Sequence, residues 1–134
     1  MYCTQQDMID RFGEEELIQL TDRDGLGVIN TTVLNQAISD AAAEIDGYLA
    51  TRYQLPLLET HPALPRLASD IARYLLYDDA APEKVEDRHD KAIAYLRDVA
   101  KGNVTLVQQT GSTAETAGVA EFETGRNVFK GGGF

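Results

Sequence analysis

Apolar residues recur at helical spacing in several stretches of the chain and then lose their period. From residue 31 to 53, Leu34, Ile38, Ala41, Ile45, Tyr48 and Leu49 return every three or four positions, which places them on one face of an α-helix. Such a helix would run about 34 Å at 1.5 Å per residue. Its run Ala41-Ala42-Ala43 leaves room for another helix to come close. Pro56 predicts its end, because proline disfavours helical geometry at Leu55 and supplies no amide donor.

Two shorter helices are predicted before it. Thr4 is placed to cap a first one, with Asp7 in the electropositive first turn, Met8, Ile9 and Phe12 on one edge, and Gly13 as its stop. Residues 14–20 carry Leu17, Ile18 and Leu20 and predict a second, and both are too short to persist without packing. The turn formers of residues 21–27 follow, with Asn30 or Thr31 as the cap of the long helix.

A connector with Pro56, Pro62 and Pro65 leads to a further helix, with Pro65 in its first turn and a stripe of Leu67, Ile71 and Leu75 flanked by Leu64, Ala68 and Ala72. Its end is expected near Asp78-Asp79. Pro82 opens the last helix, which presents Val85, Ala92, Ile93, Leu96 and Val99 and stops at Gly102. The fold class is therefore all-α, a small bundle of four to five helices over residues 1–107.

Beyond the bundle, residues 104–107 suggest a short strand, and residues 108–118 are Gln, Thr, Ser, Gly and Ala with no apolar period. Phe122, Val128, Phe129 and Phe134 then return among glycines. Residues 108–134 are thus expected to form an extended, partly disordered C-terminal arm, with those four residues as anchors on a partner. Such an arm reaches at most about 90 Å at 3.3 Å per residue, enough to cross onto a neighbouring subunit.

Charge narrows the function. Twelve Lys and Arg against 22 Asp and Glu leave a net charge of −10, which argues against a broad surface that grips phosphate backbones. The single cysteine, Cys3, has no partner for a disulfide within the chain, and folding in a reducing cytoplasm is expected. The first residues lack the basic and apolar stretches of a secretion signal, and no window suits a membrane span, so no membrane partner is expected.

Candidate chemistry is sparse. Counted from Asp22, an EF-hand loop would place Asp24 third and Gly27 sixth, but Leu26 and Val33 fall where oxygen ligands are needed, and a capped turn accounts for the same residues. Glu86 and His89 have the Glu-x-x-His spacing of di-iron bundles, yet that site needs the motif twice. Ser39, Ser69 and Ser112 lie in no nucleophile elbow, and the glycines at 131–133 precede no phosphate-binding helix. Neither enzymatic activity nor a cofactor or metal is expected. The repeated pairs Arg52-Tyr53 and Arg73-Tyr74 each follow an acidic and apolar set, and they read as clamps of helices to each other or to a neighbour, the stem packing while the guanidinium meets carboxylates.

Read in order, Met1-Tyr2-x-Thr4, Arg11-Phe12-Gly13-Glu14, Leu20-Thr21-Asp22 and Ala41-x-x-Glu44-Ile45-Asp46-Gly47-Tyr48-Leu49-Ala50-x-Arg52-Tyr53-x-Leu55-Pro56-Leu57 form a recognisable series. Asp70-Ile71-Ala72-Arg73-Tyr74-x-Leu76-Tyr77, Ala92-x-x-x-Leu96 and the final Gly133-Phe134 continue it. With these residues the chain resembles the Mu-like prophage structural proteins along most of its length. The resemblance implies a helical fold similar to the head-tail adaptors of long-tailed phages, and with it a virion protein of the neck. It further implies a homo-oligomeric ring of about twelve copies, closed by rotational symmetry. Portal protein on one side and a stopper or tail-terminus protein on the other are the implied partners, with double-stranded DNA passing through the lumen unbound. A tail-completion or stopper protein of the same particle, or a helical interaction or regulatory module, are the alternative readings.

Overall fold

The computed structural model describes residues 1–59, 61–78 and 80–106. Five α-helices follow one another: α1 (Gln5–Phe12), α2 (Glu14–Thr21), α3 (Thr31–Leu49), α4 (Ala63–Tyr77) and α5 (Glu83–Lys101). All five belong to one compact unit, Met1–Leu55 with Pro62–Thr105. A second unit comprises Pro56–His61 and Leu106–Phe134, and its described residues carry neither helix nor strand.

Local chemistry sets most of the helix ends. The Thr4 hydroxyl accepts from the Asp7 amide while the Asp7 carboxylate accepts from the Thr4 amide, both at 3.0 Å, so that two otherwise unpaired donors are satisfied. Gly13 both stops α1 and starts α2 with φ 91° and ψ 146°, a conformation that a side chain disfavours. Thr21 is fully buried at the end of α2. Its hydroxyl donates to the Leu17 carbonyl at 2.7 Å and accepts from the Asn30 amide at 2.9 Å, closing the loop before α3. Asn30 then caps α3 by accepting from the amides of Thr32 and Val33.

Helix α3 ends at Leu49, four residues short of the end at 53 expected from the sequence. The amides of Arg52 and Tyr53 both turn back to the Leu49 carbonyl, and the Thr51 hydroxyl donates to that of Tyr48. These bonds close the helix well ahead of Pro56. No strand runs through residues 104–106, and residue 107 lies outside the described ones. Among the described residues there is no second strand for such a segment to pair with.

Helix α4 is the centre of its unit and packs against each of the other four helices. Residues 67–72 are buried without interruption, Ser69 and Asp70 included. At about 100° per residue, six consecutive residues go more than once round a helix, so α4 is enclosed on all sides over that stretch. Ala68 and Ala72 on α4, and Ala37, Ala41 and Ala42 on α3, are buried small residues that let these two helices approach. On α5 the buried set is Val85, Ala92, Ile93, Leu96 and Val99, and Gly102 ends the helix in the left-handed conformation.

Two substitutions check these constraints. Gly13→Ala should cost roughly 1–3 kcal/mol through backbone strain alone, since an added Cβ would meet nothing within 4 Å. Ala41→Leu, at a position with no exposure, should cost about 1–3 kcal/mol through overpacking. Urea unfolding followed by circular dichroism reads both, and an unchanged midpoint for either would contradict the packing described.

Candidate functional site

The Arg-Tyr pairs occupy separate contacts between helices. On α4, the Arg73 guanidinium donates through Nε and Nη2 to the two carboxylate oxygens of Glu16 on α2, at 2.7 and 3.0 Å. The Tyr77 hydroxyl, one turn further along α4, donates to the same carboxylate at 3.2 Å. Over the other face of this contact, the guanidinium carbon lies 4.4 Å from the centroid of the Phe12 ring on α1. One side chain of α4 thus engages both short N-terminal helices. The bonds from Glu16 raise the Arg73 pKa further above its ordinary value despite partial burial. Tyr74 meets α5 instead, its ring stacked on that of His89 at 3.9 Å between centroids and 14° between planes.

Arg52, just beyond α3, donates from Nη1 to the Val99 carbonyl in the last turn of α5 at 3.3 Å, and its guanidinium stands 5.9 Å from the Tyr53 ring centroid. A Cβ at Gly102 would come within 3.3 Å of the same Nη1. That glycine therefore serves both the left-handed turn and the seat of Arg52. Phe122, Val128, Phe129 and Phe134 lie outside the described residues.

The remaining polar candidates have structural partners. Asp22 accepts from the amides of Leu26 and Gly27 at 2.8 and 2.6 Å, which holds its carboxyl below the usual range and ties up both oxygens in the turn. Cys3 is buried, and desolvation pushes its thiol up. The Tyr2 hydroxyl donates to the carboxylate of Asp46 on α3, which fastens the N-terminal segment to the unit.

A feature that the linear sequence hides is a basic recess of about 440 Å³, lined by Arg11, Phe12, Arg66, Asp70, Arg88 and Lys91. Its cations come from three helices: Arg11 lies in the last turn of α1, Arg66 in the first turn of α4, and Arg88 and Lys91 stand on α5. Lys91 also pairs with Asp87 at 3.1 Å. Among the described residues, Arg11, Arg66 and Arg88 have no carboxylate within ion-pair distance. Asp70 is only 8% exposed, and its carboxylate has no hydrogen bond or ion pair to a described residue. Desolvation raises its pKa against the opposing pull of Arg88, Arg66, Arg11 and Arg73. Residues so far apart form no motif; their one signal is that they make up a third of the cations of an acidic chain. Four exposed cations around one buried carboxylate can accept an anionic group, and the recess can hold a short stretch of peptide.

Comparison with known proteins covers nearly the whole chain. The family model described as "Bacteriophage Mu, Gp36" matches residues 2–124. The "Mu-like prophage FluMu protein gp36" of Haemophilus influenzae is 29% identical, with 98% of this chain and 97% of that protein aligned. "Gene product J" of Escherichia phage Mu is 28% identical over 96% of this chain and 93% of its own length.

The contacts of α4 carry two expectations. Arg73→Lys should destabilise by about 1.5–3 kcal/mol, because an ammonium cannot reproduce the two-pronged bond to Glu16 or lie flat on Phe12. Glu16→Gln in the Arg73→Lys background should add little, and full additivity in urea titrations would show that the pair is not coupled. For Asp70 the raised carboxyl means that the folded chain holds this proton more tightly than the unfolded one. Stability is then lost as pH rises from the ordinary aspartate value of about 3.9 through the raised one. Asp70→Asn should raise Tm at pH 7, with the gain shrinking towards pH 3.5; a lower Tm at pH 7 would mean that the arginines outweigh the burial.

Proposed function

This chain belongs to the bacteriophage Mu Gp36 family, and on that premise we propose that it is a virion protein of the neck, a ring-forming adaptor that docks on the portal and links it to the tail. The observation that carries the proposal is a nearly end-to-end relationship with phage proteins in a chain whose compact unit is entirely helical among its described residues. The alternative of a stopper protein would lead one to expect β-structure, and the described residues carry none.

Assembly also accounts for features that an isolated chain leaves open. Leu26 and Val28, in the loop between α2 and α3, expose 72% and 56% of their surface, which suits a contact with a neighbour. A net charge of −10 suits the lumen of a DNA conduit, where acidic walls keep the duplex from adhering during packaging and ejection. The side chains that engage neighbouring helices serve as structural ties, and the role of the protein is mechanical: it joins by shape and charge, without catalysis, cofactor or metal.

Light scattering of the purified protein, alone and mixed with the portal protein of the same genome, tests the proposal. A ring alone, or a protomer that joins the portal in a fixed multiple, is the expected result. A chain that ignores the portal at high concentration would overturn the adaptor assignment.

A further inference from the structure

We propose that the recess formed by Arg11, Arg66, Arg88 and Lys91 over Asp70 is the docking site for the acidic stretch around Glu115, Glu121 and Glu123 of a second copy of this chain. The side-by-side placement of copies rests on the function proposed above; the chemistry of the site rests on charge and shape. Of the seven described arginines only Arg73 has a carboxylate partner among the described residues, and three of the other six converge on one cavity. Their unspent charge selects an anion.

Duplex DNA fits poorly. A phosphate backbone is gripped by cations spread along an extended face, whereas these four surround a recess of about 440 Å³, and the −10 charge of the chain repels a long polyanion laid across it. A short acidic peptide needs only a local site, and the general repulsion between copies is screened beyond a Debye length. Residues 113–124 contain Glu115, Glu121 and Glu123 with no Lys or Arg among them, and Phe122 stands between the last two acids. Four cations less Asp70 and the Asp87 that pairs with Lys91 leave the site at +2, and Glu121 and Glu123 bring −2. Phe12 in the wall gives Phe122 an apolar surface. From residue 106 to Glu121 the chain reaches about 50 Å at most, sufficient to span to an adjacent protomer.

Two charge reversals in the full-length protein test this. R66E/R88E and E121R/E123R change exposed or terminal positions, and circular dichroism first checks that each variant folds. In sedimentation velocity without portal protein, each variant alone should self-associate roughly tenfold more weakly than the wild type or worse. An equimolar mixture should recover association, because the acidic stretch of the first variant meets the intact recess of the second and the two reversed partners match. A labelled peptide of residues 113–124 should bind the wild type and lose affinity for R66E/R88E by a similar factor, with weaker binding as salt rises.

Wild-type association by both variants, or a mixture that recovers nothing, overturns the proposal; the second result, with peptide binding retained, would place the stretch in the recess of its own chain. Portal binding is read separately. Capture of both variants by the portal with unaltered self-association would leave the adaptor role standing and this docking site refuted. Recovery in the mixture without any portal capture would do the reverse.

Discussion

Everything in the helical unit depends on the enclosure of α4. A surface helix buries one stripe, but residues 67–72 of α4 are buried all the way round, so each of the other helices has a face against it. Enclosure dictates size, and Ala68, Ser69 and Ala72 are small where neighbours come near. It also dictates how polarity is handled. The Ser69 hydroxyl donates to the Pro65 carbonyl one turn back at 2.7 Å, a bond that needs no outside partner. Asp70 has no such recourse and depends on arginines that stand further off.

From that enclosure follows the standing of the N-terminal helices. Eight residues each, α1 and α2 are too short to form alone. They persist because Met8 and Leu17 are fully buried and because Arg73 reaches from α4 to Glu16 on one and Phe12 on the other. Arg11 rides on α1, so the basic recess is complete only when this short helix is docked. Anything that loosens the Arg73 contact therefore loosens the recess, although Arg73 does not line it.

How much of this was legible in the sequence depended on how each helix is buried. Helix α5 has one face against the core, and its apolar period picks out the same five residues that the structure buries. Helix α4 is harder to read: a period marks Leu67 and Ile71, but total burial adds Ser69 and Asp70, whose polarity conceals it, and leaves the expected Leu75 half-buried while Leu76 is covered. Pro56 predicts the end of α3, yet that end is decided at Leu49, where two amides share one carbonyl and Arg52 finds an acceptor on α5. Tertiary contact settles that boundary, and local propensity has no access to it. Arg52 and Arg73 stood out because each adjoins a tyrosine in a similar setting. Arg11, Arg66, Arg88 and Lys91 lie on three helices up to 80 positions apart and come together only in the folded chain.

Net charge constrains how copies of such a chain can meet. Protomers at −10 repel, and every neighbour added to an assembly adds to the repulsion. Salt screens that general repulsion beyond a Debye length of roughly 8 Å at physiological strength, but it weakens any specific attraction between exposed charges as well. Apolar contacts such as those offered by Leu26 and Val28 supply adhesion without orientation. Fixed orientation between like-charged copies calls for opposite charge concentrated at one place, and most of the basic residues here are already dispersed or committed: Arg73 to Glu16, Arg52 to a carbonyl. The recess gathers three arginines that have no carboxylate partner among the described residues, so it is the feature of this fold best suited to orient a second copy.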